Sequence, residues 1–420
     1  FTSIYGIVDG LCVSNFVGKT AFAAVNLIMP LPMLLGTIGF MLGTGGSAIV
    51  GITLGEGDQK KADRYFTLFL LAALVSVSVL AVLGIVFLRP IAVLLGAKGE
   101  LLDYAVRYGR ILMVSLPTFA LQNMFQSFFV TAEKPHLGFW FTVGAGCTNM
   151  VLDVLMVGIW GWGVEGAAIA TFISQLVGGV LPVFYFIDRS NSSRLHLCKT
   201  SFYSKVLRDA CINGSSELMT NLSMSLVNIL YNYQLLRLAG ENGVAAYGVI
   251  MYAAFLFVAV FVGYAVGSAP IVSFHYGARN HAEVHNLYRK SLRLIAVVAV
   301  TLTLASMFII PCVARIFVGY DAELLALTSR AFRLYALSFL IMGFNVYASS
   351  FFTALGDGVT SALISFLRTL AFQVIAILLL PLLLGIDGIW LAVTAAELAA
   401  LAVSAAMLLT KDKVFHYRKA

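Results

Sequence analysis

Apolar runs long enough to cross a bilayer recur along the whole of this 420-residue chain, and that recurrence limits its fold more than any other feature. A spanning helix needs about 20 predominantly apolar residues. Such runs are read at 1–17, 20–54, 65–88, 104–131, 138–159, 164–187, 204–238, 244–275, 290–313, 324–354, 360–384 and 388–410. Only one polar interval exceeds about 15 residues, so no soluble domain fits between them. Asp, Glu, Lys and Arg make up 11% of the chain, where a soluble domain carries roughly a quarter. The solvent for most of this chain is therefore lipid. The class implied is all-α and integral to the membrane, with twelve transmembrane helices. The first run opens at Phe1 without a signal-peptide pattern and reads as a first helix whose beginning is missing.

The net charge of +7 invites a nucleic-acid partner, but the placement of the basic residues gives a better account. Alternate loops and their helix ends hold Lys60, Lys61, Arg64, Lys134, Arg189, Arg194, Lys199, Lys205, Arg208, Arg279, Arg289, Lys290, Arg293, Lys411, Lys413, Arg418 and Lys419. The other side has Lys19, Arg89, Lys98, Arg237 and Arg315, and Arg107, Arg110, Arg330 and Arg333 when helix ends are included. Seventeen against five, or against nine, places the 189–209 linker and the C-terminus in the cytoplasm. Five cysteines, Cys12, Cys147, Cys198, Cys211 and Cys312, show no metal-ligand spacing and are expected to be small core hydrophobes.

The two halves match at an offset of 222 to 223 residues. Gly45, Ile49, Val50 and Gly55 fall on Gly267, Ile271, Val272 and Gly277, and GVEGAAIA from Gly163 falls on GIDGIWLA from Gly385. Arg107 and Arg110 fall on Arg330 and Arg333, and Ser127, Phe128 and Phe129 on Ser350, Phe351 and Phe352. Several clusters at one offset point to duplication. Six crossings separate equivalent positions, so both copies share one orientation and are related by a pseudo-two-fold axis along the membrane normal. The expected organisation is a six-helix bundle at 1–188, a cytoplasmic linker at 189–203 and a second bundle at 204–420. Parallel repeats of this kind place a substrate path at their mutual interface. A receptor has no such need for matched halves, and a channel would conduct without coupling. No nucleophile with its base and no metal motif appears, so the chain is not read as an enzyme, and no cofactor is expected.

Ionisable residues deep in a span are expensive and become functional candidates by default. The acidic ones are Asp9, Asp153, Glu217 and Glu397. Glu165 and Asp387 sit at equivalent turns and read as helix starts. Asp9, Asp153 and Thr171 come out at ~12, ~9 and ~10 Å from the outer ends of their helices, with Asn149 one turn deeper than Asp153. Asn149 and Asp153, at i and i+4, share a helix face. These oxygens suit a small hard cation, or a carboxylate that holds a proton. Unrelated, satisfied helix contacts are the competing reading on depth alone. The second copy helps to decide, because Asp9 and Asp153 fall on Tyr231 and Ile375, or on Asn232 and Ala376. Glu217 is a candidate contact for a cationic substrate. Arg368 and Glu397, at similar depths on consecutive helices, read as a structural ion pair. Pro30, Pro32, Pro117 and Pro270 are expected kinks. The clusters at Gly45, Gly46 and Ser47 and at Gly267, Ser268 and Ala269 suit close helix contact or a bending gating helix.

With these residues in view, the chain resembles the multidrug and toxic compound extrusion (MATE) transporters, most like their DinF-like bacterial branch. The resemblance rests on YGIVDGLCVSNFVG around Asp9, AAVNLIMP, GITLGEGD, TNMVLD ending in Asp153, and GVEGAAIATFISQ. It implies export of organic cations and amphipathic drugs in exchange for inward Na⁺ or H⁺ by a monomer in a bacterial inner membrane. It also implies a cation site, Na⁺ included, at Asp9, Asn149, Asp153 and Thr171, and a substrate acid at Glu217. The NorM-like branch has a tenth-helix Asp that this chain lacks, which speaks against coupling through the second bundle. The alternative is a lipid-linked oligosaccharide flippase of the same superfamily. Such a flippase needs buried cations for a pyrophosphate, and here they reduce to Arg368 and four arginines near outer helix ends. The topology is open to direct test: cysteines placed at Ser192 and Ser193 should react with an impermeant maleimide in inside-out vesicles only. Labelling in intact cells would overturn the assigned sidedness.

Overall fold

A computed structural model of the chain describes residues 16–417 apart from 18 and 320, and every regular element among them is helical. Eight helices are long and apolar enough to cross a membrane, and a pair bent by 46° makes a ninth. Two more of the twelve expected crossings are filled by helices with polar content. One is Glu100–Thr131, in which Ser115, Gln122, Asn123 and Ser127 are buried. The other is the arm that begins at Ser215. The first run lies outside the described residues. Large apolar side chains stand exposed along these helices, among them Val75, Val79, Val82, Val86, Phe308, Leu382 and Leu383. A soluble surface of this kind would aggregate, whereas a lipid-facing one is at rest.

The chain divides into two compact units, Phe1–Gly214 and Ser215–Ala420. In the first, the second apolar run is split. Helix α1 (Lys19–Ile28) stops and α2 (Pro30–Gly55) restarts at Pro30, whose ring removes a donor and favours a first helical turn. There follow α3 (Gln59–Leu94), α4 (Glu100–Thr131), α5 (Pro135–Asp153), α6 (Gly163–Gly179), α7 (Leu181–Ile187) and α8 (Ser204–Asn213). Helix α4 lies at the centre, packed against α2, α3 and α6. Glycines make those approaches possible: a Cβ at Gly39 of α2 would run into the Ala120 backbone of α4, and one at Gly179 into the Thr118 carbonyl. The expected seventh run is also divided. Residues 204–213 form α8, separate from the next helix, and α8 packs on α2 with Asn213 Nδ2 donating to the Gly45 carbonyl at 3.4 Å.

The second unit opens with α9 (Ser215–Gly277), broken at Gly240, whose φ of 60° and ψ of −150° suit glycine alone and separate two crossings. It continues with α10 (His281–Val318), α11 (Ala322–Ala336), α12 (Phe339–Ala354), α13 (Gly358–Phe366), α14 (Phe372–Leu384), α15 (Ile386–Thr410) and the short α16 (Asp412–Phe415). Pro117 and Pro270 do lie inside helices, α4 and α9 respectively.

The duplication read from sequence recurs in local chemistry within each unit. Asp58 caps α3 by accepting the Lys61 N–H at 3.0 Å, and Asn280 caps α10 by accepting the Glu283 N–H at 3.1 Å. Gly163, the first residue of α6, and Gly385, just before α15, both take positive φ, 61° and 59°. Arg107 faces Glu165 at 3.9 Å and Arg330 pairs with Asp387, so the two acids read as helix starts also hold arginines.

Three expectations need correction. Gly45 presses on the Ala210 carbonyl and Gly214, but a Cβ at its counterpart Gly267 would meet nothing within 4 Å among the described residues, so of the two readings of these clusters close contact is seen at Gly45 and not at Gly267. Cys147 and Cys312 are exposed and Cys198 and Cys211 half-buried, so none of these four is a core residue; Cys12 lies outside the described residues. Ser193 is buried at 8% exposure while Ser192 is exposed, which leaves Ser192 as the informative labelling position.

Backbone contact at Gly39 leaves no room for a methyl group. Gly39→Ala should destabilise the first unit by about 1–3 kcal/mol, read as a lower thermal unfolding midpoint in detergent. Gly248→Ala, where a Cβ meets nothing, should leave the midpoint unchanged or raise it. Equal behaviour of the two variants would contradict this packing.

Candidate functional site

The fifth and sixth crossings bring three of the four expected coupling residues together. Helix α5 presents Asn149 and Asp153 from one face, both with 0% exposure, and α6 presents Thr171 with 9%. Asn149 Nδ2 donates to Thr171 Oγ1 at 3.4 Å, which joins the two helices. That bond also orients the amide: its Oδ1 is closed off from solvent and accepts no hydrogen bond among the described residues. A buried acceptor left open in this way fits a bound cation or a proton-bearing partner, since either would supply the missing positive contact. Asp9 lies outside the described residues, so its position relative to these three is not given.

Directly after Asp153 the helix widens into a π-helical stretch, Val154–Ile159. The regular ladder is replaced there, as the Trp160 N–H reaching the Leu155 carbonyl at 2.8 Å shows. Such turns are rare and concentrate at functional positions.

Sequence reasoning missed a second polar layer in the same unit. Gln175 lies one turn along α6 from Thr171, and α4 contributes Gln122 and Asn123, all three buried. Gln122 Oε1, Asn123 Nδ2 and Gln175 Oε1 are shut off from solvent without hydrogen-bond partners among the described residues. Gln122 packs against Gly178, where a Cβ would come within 2.8 Å of its amide. The signal was present, because Gln175 stands at i+4 from Thr171 and Gln122 and Asn123 are adjacent amides inside an apolar run.

The second unit uses its polar interior differently. Tyr231, at the position matching Asp9, is buried and stacks on Tyr247 with centroids 5.0 Å apart, and Ile375, matching Asp153, is exposed. Arg368 and Glu397 do pair, at 3.4 Å, with side-chain exposures of 12% and 2%. Two residues not singled out from sequence complete the arrangement: Asn345 Nδ2 donates to Glu397 Oε2 at 2.7 Å, and Ser404 Oγ donates to Asn345 Oδ1 at 2.8 Å. Arg368 itself sits on a π-helical turn, Leu367–Ala371. The carboxylate of Glu397 is thus held on both oxygens, as a structural pair should be. Glu217, near the start of α9, is half-buried and within electrostatic reach of Arg368, and it makes no ion pair among the described residues. Those residues also contain no group of three or more His, Cys, Asp or Glu placed to hold a metal ion, so any ion here would bind to a mixed oxygen set.

Comparison with known proteins agrees with this architecture. The MatE family model matches residues 1–155 and 218–379, most of the chain and both halves. Among curated relatives, the multidrug export protein MepA of Staphylococcus saprophyticus is 21% identical over 417 residues, covering 98% of this chain and 90% of that protein. MepA of Staphylococcus aureus strain MSSA476 is 21% identical over 413 residues with the same coverage. Among solved structures, the outward-facing conformation of a multidrug resistance MATE family transporter of the MOP superfamily superposes with a TM-score of 0.92 at 23% identity, covering 100% of this chain and 93% of that one. A MATE in complex with MaL6 gives the same score, identity and coverage. The twelve-helix, two-bundle fold and the family-model match over both halves lead to one conclusion: the chain belongs to the MatE family of multi-pass membrane transporters and is not an enzyme.

Proposed function

We propose that this chain exports organic cations and amphipathic drugs in exchange for inward Na⁺ or H⁺ by alternating access, as a monomer in a bacterial plasma membrane with its C-terminus in the cytoplasm. The observation that carries the reading is the fully buried Asn149 and Asp153 pair joined to Thr171, with an amide oxygen left open beside it. Asp9 is assigned to the same site from sequence. Two carboxylates in a dry site cannot both stay charged cheaply, so a proton or Na⁺ shared between them is the form that buries well. Entry of the cation from outside discharges the site and lets the helices that carry it close; its release to the cytoplasm restores the negative charge. The driving ion shifts the two-state equilibrium only by its differential affinity for the two states. Within the family, the DinF-like assignment stays part of this proposal. The curated MepA relatives are named for multidrug export, which supports a drug substrate. Arg368, the cation deepest in the spans, is committed to Glu397, which weighs against the pyrophosphate grip that a flippase needs.

The coupling assignment is checked in proteoliposomes with Na⁺ and H⁺ gradients imposed separately. Asp153→Asn and Asp9→Asn should each reduce gradient-driven efflux about 5- to 150-fold, the span of a ~1–3 kcal/mol coupling energy, with the folded state retained. Thr171→Ala should raise the Na⁺ requirement if Na⁺ is the coupling ion and matter little if only a proton is carried. Full efflux by the Asp9→Asn, Asp153→Asn double variant would refute the mechanism.

Glu217 and Glu397 should respond in opposite ways. Glu217→Gln should weaken binding of a lipophilic cation by about fivefold or more, equivalent to ~1 kcal/mol, and leave a neutral amphiphile unaffected. Glu397→Gln strands Arg368 and should instead lower stability by about 3–5 kcal/mol. Equal losses for cationic and neutral ligands in Glu217→Gln would remove that residue from the substrate site.

A further inference from the structure

A basic cavity of about 480 Å³ lies where the polar linker crosses the first turns of α3, lined by Lys60, Asp63, Arg64, Arg189, His196 and Lys199. We propose that it binds the phosphate of an anionic lipid headgroup.

The cavity is built by backbone and not by loose loop. The linker is fixed to the helices at three successive points: the Leu197 N–H donates to the Phe186 carbonyl at 2.8 Å, the Cys198 N–H to Thr67 Oγ1 at 3.1 Å, and Thr200 Oγ1 to the Arg64 carbonyl at 2.8 Å. Lys199 and Arg189 are thereby held opposite Lys60 and Arg64. None of these four cations forms an ion pair among the described residues, whereas neighbouring Arg194 is taken by Glu133 at 3.3 Å.

The acids nearby are already engaged. Asp63 Oδ1 accepts from Gln59 Nε2 at 3.2 Å and from the His196 N–H at 3.0 Å, so it secures the linker. Asp188 accepts from Ser190 through both oxygens, and those bonds hold its carboxyl below the usual carboxylate range. His196 Nε2 is shielded from solvent and has no hydrogen-bond partner among the described residues. Four cations without an ion pair and one open ring nitrogen outnumber the single lining acid, Asp63, which Arg189 and His196 also face electrostatically; an anion that accepts from several donors is the ligand that completes such a site.

A lipid is the source favoured by what lies along the same helix face. Lys60 and Arg64, four residues apart, continue in helical spacing into the exposed stripe Leu71, Val75, Val79, Val82 and Val86. Arg64 stands ~10 Å along the axis from Leu71, a distance that the headgroup layer, about 5–8 Å thick on each side, and a long basic side chain together span. Basic pockets at a membrane surface recognise anionic headgroups in this way.

Native mass spectrometry of the intact chain in maltoside micelles tests the site, with dioleoylphosphatidylglycerol, dioleoylphosphatidylcholine and inorganic phosphate as separate probes. The expected result is retention of phosphatidylglycerol alone. Lys60→Gln with Arg64→Gln should lower its apparent affinity roughly 25-fold, about fivefold per cation, while Arg64→Lys keeps it. If the double variant does not fold, judged by its unfolding midpoint without lipid, Lys199→Gln serves in its place and should cost about fivefold. Equal phosphatidylglycerol retention by wild-type and charge-neutralised chains overturns the site. Binding of inorganic phosphate without phosphatidylglycerol, or equal retention of phosphatidylcholine, overturns the assignment to an anionic lipid.

Discussion

A backbone N–H or C=O in hydrocarbon has no water to fall back on, and the rest of this structure depends on that constraint. It makes every described element a helix and makes each departure from regular helix a choice that must be supported by protein around it. Among the described residues the departures include the restart at Pro30, the interruption at Val180 between α6 and α7, the break at Gly240, the 46° bend between α11 and α12, and the two π-helical turns after Asp153 and at Arg368. Both π-helical turns adjoin a buried charged group. Where the helix is irregular, the chemistry is concentrated.

The second theme is divergence inside a duplicated frame. The copies share their caps, their positive-φ glycines and their arginine–carboxylate pairs at helix ends, all of which lie at or beside turns. Inside, one buries Asn149 and Asp153 on one helix face with Asn149 bonded to Thr171, and the other has at the matching positions Tyr231, stacked on Tyr247, and an exposed Ile375. Its own buried acid, Glu397, is tied to Arg368 and Asn345. Turn chemistry is dictated by backbone geometry that both copies must satisfy, while interior polar residues answer to whatever each half must hold.

Much of this was legible in the sequence because the signals are local and periodic. Span length, basic asymmetry and the offset between halves are read without knowing any contact. Asn149, Asp153 and Thr171 were accessible for the same reason, since depth along a helix follows from residue counting. Asn345 and Ser404 were not, because a neutral amide or hydroxyl in an apolar run carries no sign of the carboxylate it will meet on another helix. Gln122 and Asn123 did carry a signal as adjacent amides in an apolar run, though, being uncharged, a weaker one than a carboxylate at the same depth. The cysteines misled because a small sulfur side chain is as compatible with lipid as with a core, and only packing separates the two. The break at Gly214 was hidden because residues 204–213 are continuous in sequence with an apolar run, yet α8 is fixed to α2 by close backbone contact around Gly45.

That contact has a consequence for how the chain is made. The last helix of the first unit, α8, is also the last segment needed to complete it, and it docks through Asn213 and Gly214 onto α2. Chains emerge from the ribosome N-terminus first, and domains generally fold as units in that order. Once Gly214 has been synthesised, everything the first bundle packs against within itself is already available, before any of α9 exists. The first half thus carries its own caps and its own closing segment, and the order of biosynthesis lets its turns form before their counterparts in the second copy exist.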